Sequence, residues 1–269
     1  MADVRYDVKD IGDGSYLISE KFSTMYIICG SERALLIDCG LGAGDYKALA
    51  EELTRGLPYD LVATHAHVDH IGGRGQFHDM YISAFESRHI KDCGVRQRRR
   101  WLAEKKLRGK AAKDLRIRAF AGEPRVHIIG EGDTFDLGGG RVIEVLATPG
   151  HTEGSISLYD NTYKTLFVGD VISSYLYMWL KTSTTIDRAI ETMRRINEID
   201  FSVMWASHHW KPFDRARFAG VAKTAALLAK KKNSFFPFVR RFAHNGNQIF
   251  YRANNIHARA VRAKNIEKH

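Results

Sequence analysis

The sequence contains the motif Thr64-His65-Ala66-His67-Val68-Asp69-His70, which follows directly on a short apolar run. His65 and His67 stand two residues apart, so both rings can converge on one cation at the end of a strand. Asp69 and His70 follow at a turn and can face a second cation nearby. Imidazole nitrogens and carboxylate oxygens together form the ligand set of zinc, and also of iron or manganese. The pattern therefore predicts a metal site.

Further candidate ligands stand downstream, each directly after a predicted apolar strand. One histidine follows the turn Pro149-Gly150, a carboxylate ends Phe167-Val168-Gly169, and two adjacent histidines end Trp205-Ala206-Ser207. These candidates are His151, Asp170, His208 and His209. Because each follows a strand, all of them can point from one edge of a sheet. The pattern leaves the choice between the two adjacent histidines open.

The alternation of apolar and polar residues predicts two blocks of strands, each followed by helices. The first block includes strands at 16–18, 25–29, 34–38, 61–64 and 80–83, a helix at 45–57 and a helical stretch at 86–118. The second has strands at 126–129, 134–137, 142–146, 155–159, 165–168 and 201–205, with helices at 186–196 and 213–232. A closing hairpin at 247–261 is expected to turn at Ala253-Asn254-Asn255. This order predicts an α/β sandwich of two sheets covered by helices.

Length and composition indicate an ordinary globular chain. The 269 residues are 44% hydrophobic and 27% charged, which excludes disordered, collagen-like and disulfide-rich classes. No apolar run reaches the roughly 18 residues that span a bilayer. The polar N-terminal residues do not resemble a signal peptide, and the three cysteines are odd in number and widely spaced. We therefore expect a cytoplasmic protein without a membrane span.

The net charge of +10 is concentrated in two segments. Residues 88–118 hold 13 lysines and arginines against three acidic residues, and residues 211–269 hold 14 against two. These charges are either solvated helix faces or an attraction for an anion such as a carboxylate, a phosphate-bearing substrate or a nucleic acid. Because the first segment has few aromatic residues to stack on bases, nucleic acid is the less favoured partner.

The motifs between Asp38 and His209 resemble those of the metallo-β-lactamase-fold superfamily, especially its lactonase and glyoxalase-II-like branch. The resemblance implies an α/β fold, the four-layer αββα sandwich, as a single domain over 1–269. It also implies a basic helical cap inserted at about 86–120. Tyr175, Tyr177 and Trp179 follow Asp170, and in lactonase-like relatives a tyrosine near this position hydrogen-bonds the substrate carbonyl. The alternative is that this stretch is a hydrophobic loop that packs on the core.

The resemblance also implies a ligand set. One metal is expected on His65, His67 and His151. The second is expected on Asp69, His70 and His208, with Asp170 bridging the two. His208 is preferred over His209 by alignment with the family, and Asp38 is expected to orient a ligand rather than to bind metal. We expect two divalent ions, with zinc as the first choice and manganese or iron as alternatives.

A metal pair with this ligand set predicts hydrolysis by a hydroxide that bridges the two ions. Asp69 is the predicted catalytic residue, which binds metal and orients the hydroxide or accepts its proton. The family's zinc β-lactamases lack the bridging carboxylate represented by Asp170, so antibiotic hydrolysis is disfavoured. The predicted function is hydrolysis of a small-molecule ester, lactone or thioester. The alternatives are a phosphodiesterase or nuclease, a single-iron sulfur dioxygenase, and a metal-stabilised scaffold without activity.

The predicted substrate has an apolar body and an anionic group. The aromatic stretch after Asp170 would contact the apolar body. Cap arginines would contact the anionic group: Arg96, Arg98, Arg99 and Arg100 are the candidates. A homodimer is expected from base rates alone.

Overall fold

The computed structural model describes residues 6–20, 23–104, 117, 119–120, 122–234 and 238–257. Its strands are β1 Asp7–Gly12, β2 Ser15–Ser19, β3 Thr24–Cys29, β4 Ala34–Ile37, β5 Tyr59–Val62, β6 Asp79–Ser83, β7 Arg125–Ile129, β8 Thr134–Asp136, β9 Val142–Ala147, β10 Ile156–Asp160, β11 Thr165–Phe167, β12 Tyr175–Met178, β13 Val203–Trp205, β14 Val239–His244 and β15 Asn247–Arg252. Its α-helices are α1 Tyr46–Leu53, α2 Val68–Ile71, α3 Ala84–Ser87, α4 Val95–Glu104, α5 Ile186–Glu198 and α6 Arg215–Leu228.

Two large sheets pack face to face in the centre of the molecule. The first runs in the order β1-β2-β3-β4-β5-β6-β7, and the second in the order β13-β11-β10-β9-β8. Their facing side chains form one apolar core, in which Tyr26 and Val62 of the first sheet meet Leu158 and Phe167 of the second. The central strands β3 and β4 read as nearly continuous apolar runs because both faces of the first sheet are buried.

Helices cover the outer face of each sheet. Tyr46 of α1 and Ile71 of α2 pack with Leu36 against the first sheet. Helices α5 and α6 cover the second sheet, together with a small third sheet in the order β12-β15-β14. The predicted sandwich of two sheets between helical layers is confirmed. No helix among the described residues is long and apolar enough to cross a bilayer.

The helical stretch expected at 86–118 is only partly within the described residues. There it consists of α3, a 3₁₀ turn at Ile90–Cys93 and α4, and residues 105–116 and 118 lie outside the described part. Arg98 of α4 is buried and donates to the carbonyl of Leu41 at 3.0 Å. Helix α4 is therefore joined to the loop that follows β4.

The closing hairpin predicted at 247–261 is wrong. Strands β14 and β15 form the hairpin instead, and it turns at Asn245-Gly246, where φ is 45° and 79°. Two successive residues with positive φ match the twist of a hairpin, and Asn-Gly is the sequence that favours such a turn. Residues 258–261 lie outside the described residues.

Candidate metal centre

The predicted ligands meet where strands of both large sheets end. His65, His67, Asp69 and His70 follow β5 of the first sheet, while the others come from the second sheet. His151 stands in the turn between β9 and β10, Asp170 follows β11, and His208 follows β13. Gly169 has φ of 53°, and a Cβ there would lie 2.9 Å from Thr64 side-chain atoms. Only glycine lets the chain bring Asp170 this close to the histidine motif.

Three imidazole nitrogens form the first group of candidate donors. His67 Nδ1 lies 2.9 Å from His65 Nε2 and 3.0 Å from His151 Nε2. Burial, together with the neighbouring imidazoles, lowers the pKa values of His65 and His67 well below the usual range. Burial also lowers the pKa of His151. Neutral rings keep a lone pair available, which is the state that binds a metal ion.

The second group combines carboxylates with imidazoles. His208 Nε2 lies 3.2 Å from Asp170 Oδ2 and 3.6 Å from Asp69 Oδ2. Asp170 also faces the first group, because its Oδ2 lies 3.5 Å from His151 Nε2. Burial alone would raise the pKa of Asp170, but His208 and His70 hold it well below the usual range. An ionised Asp170 therefore stands between the two groups.

Hydrogen bonds on the side away from the centre fix the orientation of the imidazole rings of His70 and His151. His70 Nδ1 lies 2.7 Å from Asp38 Oδ2, and His151 Nδ1 donates to the carbonyl of Tyr177 at 2.7 Å. Asp38 also accepts from the backbone N–H of Thr64 at 2.7 Å. With Nδ1 as the donor, the Nε2 atoms of His70 and His151 face the centre. Burial lowers the pKa of His70, but the carboxylates of Asp38 and Asp170 raise it well above the usual range, so a cation bound at this Nε2 would replace a proton.

Two buried atoms at the centre test whether a metal fits. His70 Nε2 and Asp170 Oδ1 are buried, have no hydrogen-bond partner among the described residues, and lie 3.6 Å apart. A buried polar atom without a partner is costly, and a cation bound by both atoms would remove that cost. Among the described residues, three groups have ligand atoms within 4.8 Å of one another: His65, His67 and His151; His65, His70 and Asp170; and Asp69, His70 and His208. The donor set therefore fits divalent cations.

The two adjacent histidines, His208 and His209, have different neighbours in the structure. His208 meets both carboxylates, whereas His209 lies 2.9 Å from Ser173 Oγ through Nε2 and 3.4 Å from Arg217 Nη2 through Nδ1. Burial and the nearby Arg217 lower the pKa of His209 to about 4. His208 has a positive φ of 63°, which is uncommon outside glycine and directs its ring to the centre.

A cavity of about 620 Å³ opens beside these ligands, and Tyr175, Tyr177 and Trp179 line it. The stretch that carries the two tyrosines is a strand, β12, rather than a loop. Its residues alternate, so Tyr175 and Tyr177 are 50% and 39% exposed while Leu176 is buried in the core. His151 joins this wall to the centre through its bond to the carbonyl of Tyr177.

Sequence reasoning missed several cavity residues, among them Trp101, Leu180 and Thr182. Trp101 lies on α4, and the signal that points to it is a single tryptophan within a basic helix. No described lysine or arginine lines the cavity. This contradicts the expectation for the cap arginines.

Each of those arginines is placed elsewhere. Arg98 points inward to Leu41, and Arg100 pairs with Glu104 at 2.8 Å. Arg96 and Arg99 are exposed and do not line the cavity.

Comparisons with known proteins agree with this architecture. Residues 18–192 match the family described as the metallo-beta-lactamase superfamily. The chicken acyl-coenzyme A thioesterase MBLAC2 is 31% identical over 209 residues, which are 71% of this chain and 75% of that protein. The hydroxyacylglutathione hydrolase of Salmonella gallinarum is 27% identical over 144 residues, 53% of this chain and 43% of that protein.

The solved structure of a metallo-beta-lactamase from Pontibacter korlensis superposes with a TM-score of 0.59 at 19% identity. The match covers 82% of this chain and 99% of that one. It supports the four-layer fold alone.

Proposed function

Because this chain belongs to the metallo-beta-lactamase superfamily and is a metal-dependent hydrolase, we propose that it cleaves a small-molecule thioester with two bound divalent cations. The observation that carries the proposal is the buried pair His70 Nε2 and Asp170 Oδ1. Neither atom has a hydrogen-bond partner among the described residues, and both lie inside a full set of imidazole and carboxylate donors. The names of two relatives, a thioesterase and a hydroxyacylglutathione hydrolase, favour the thioester over the ester or lactone.

We assign the donors to two cations, with zinc as the first choice. His65, His67 and His151 would hold one, Asp69, His70 and His208 the other, and Asp170 would contact both. Bound there, the pair supplies a nucleophilic water at neutral pH and polarises the substrate carbonyl. The protein's own side chains would accept the proton and bind the substrate.

Asp69 would accept the proton of the attacking water. It is 6% exposed, lines the cavity, and its Oδ2 lies 3.6 Å from His208 Nε2. Tyr175 and Tyr177 border the same cavity, where a phenol hydroxyl can donate to the carbonyl oxygen. The aromatic wall excludes water and would contact the acyl group. A cavity without a described lysine or arginine suits an acyl chain better than a phosphodiester.

A substrate panel tests the proposal. Zinc-loaded protein is assayed with thioesters of coenzyme A and glutathione, simple esters, lactones and phosphodiesters. We expect thioester turnover, lost in His67→Ala and Asp170→Asn. The control His127→Ala alters a histidine outside the centre, bonded to Asp79, and should retain the activity. Turnover of phosphodiesters alone would overturn the proposal in favour of the phosphodiesterase alternative.

Metal content is the second measurement. Two equivalents of zinc or manganese per chain in the purified protein would support the assignment of two sites, and a single iron would overturn it. The cytoplasmic location, the homodimer and the single domain over 1–269 stay predictions.

A further inference from the structure

A second, polar cavity adjoins the aromatic one. It has a volume of about 330 Å³, and Leu180 lines both cavities. Its other lining residues are Lys181, Ser183, Arg252, Asn254 and Asn255. Two cations and three neutral polar side chains therefore face this space, and no described carboxylate does. Such a lining favours an anion.

Arg252 is oriented by the wall between the two cavities. Its Nε donates to the carbonyl of Trp179 at 2.6 Å, and Trp179 lines the aromatic cavity. No hydrogen bond joins the two terminal nitrogens of the guanidinium to a described residue. Lys181 is exposed and forms no ion pair with any described carboxylate. A guanidinium fork beside an ammonium is a combination that binds phosphate oxygens.

We propose that this second cavity binds the phosphate groups of the leaving thiol, so that the substrate is the thioester of a phosphorylated thiol. The inference rests on the proposed function. The acyl group lies in the aromatic cavity, the thiol arm crosses Leu180, and its phosphates meet Lys181 and Arg252. Water and the thioester give a carboxylic acid and the free thiol. The cationic contact thus comes from the segment after β12 and the end of β15, not from the cap.

Kinetics with two substrates test the subsite. An acyl-coenzyme A and the N-acetylcysteamine thioester of the same acyl group share the scissile bond, but only the first carries phosphate. In Lys181→Gln, and more strongly in Lys181→Gln/Arg252→Gln, we expect KM for the coenzyme A thioester to rise about tenfold or more. KM for the truncated thioester and both kcat values should stay unchanged. Lys47→Gln, which alters a partly exposed lysine of α1 that pairs with Glu51, is the control.

The outcomes separate the subsite from the activity. If the wild-type protein cleaves neither thioester, the proposed function is wrong. If it cleaves both and the double variant leaves KM for the coenzyme A thioester unchanged, only the subsite is wrong. If the double variant raises KM for an S-acylglutathione as much as KM for the coenzyme A thioester, the cavity is a general anion site, which would contradict the phosphate assignment.

Binding provides a readout that does not depend on turnover. Calorimetry with coenzyme A and the metal-free protein should show a Kd about tenfold weaker in the double variant. Arg252→Lys keeps the charge but loses the two terminal nitrogens of the guanidinium, so its Kd should lie between those of the wild type and Arg252→Gln. An unchanged Kd in the double variant would overturn the subsite.

Discussion

Asp38 determines which nitrogen of His70 faces the candidate metal centre, because its carboxylate binds His70 Nδ1 and the Thr64 backbone N–H at once. In Asp38→Asn the amide keeps a single acceptor oxygen, so one of these donors loses its partner. We expect zinc affinity to fall by about 10- to 100-fold, as measured by competition with a chelator. Asp60→Asn, which alters a carboxylate paired with Arg33, is the control. Equal zinc affinities in the two variants would contradict this role.

Glu86 clamps two loops that carry candidate ligands. It is 1% exposed, and its carboxylate accepts from the backbone N–H of Ala66 at 2.7 Å and of Gly154 at 3.1 Å. Glu86→Gln turns one acceptor into a donor that faces a backbone N–H. We expect the free energy of unfolding of the metal-free protein to fall by about 1–3 kcal/mol in denaturant titrations. Glu153→Gln, at an exposed position in the same turn, should change it little; equal losses would disprove the clamp.

Neighbouring residues of strand β12 lie on opposite faces and have different roles. Leu176 is 1% exposed in the core, whereas Tyr175 borders the cavity and is 50% exposed. Leu176→Ala should lower the free energy of unfolding by about 2–5 kcal/mol. Tyr175→Ala should change it by no more than about 0.5 kcal/mol but raise KM for the thioester. Denaturant titrations and steady-state kinetics of both variants check this, and a large loss of stability in Tyr175→Ala would show that the alternation is misassigned.

The same strand shows what sequence can and cannot predict. Strands with long apolar runs, such as β3 and β4, were predictable because burial alone selects their residues. Strand β12 was not, because it pairs in parallel with β15, whose residues lie about seventy positions further along the chain. The hairpin of β14 and β15 was missed although its Asn245-Gly246 turn is a recognisable signal.

The candidate ligands were identifiable from residue type and spacing, and the structure brings them together. The direction of long cationic side chains was not predictable. Arg98 points inward because it finds the carbonyl of Leu41, and Arg252 reaches the second cavity because Trp179 holds it there. Such directions depend on tertiary contacts that a linear pattern does not contain.

For the whole molecule, the candidate centre joins the two large sheets. The loop after β5 belongs to the first sheet, and the turns after β9, β11 and β13 belong to the second. A cation held by donors from both sheets would cross-link them in the native state only. Metal binding is therefore expected to couple to the stability of the entire sandwich rather than to one loop.

This coupling predicts that zinc raises the free energy of unfolding with the logarithm of its free concentration. At one hundred times the Kd the gain should be about 2.7 kcal/mol for each bound ion, because the unfolded chain does not hold the donors together. Denaturant midpoints measured over a series of buffered zinc concentrations report it, and a chelator should reverse it. His67→Ala should flatten the dependence, whereas His127→Ala, outside the centre, should keep it. An undiminished dependence in His67→Ala would mean that zinc stabilises the protein from a site outside the candidate centre.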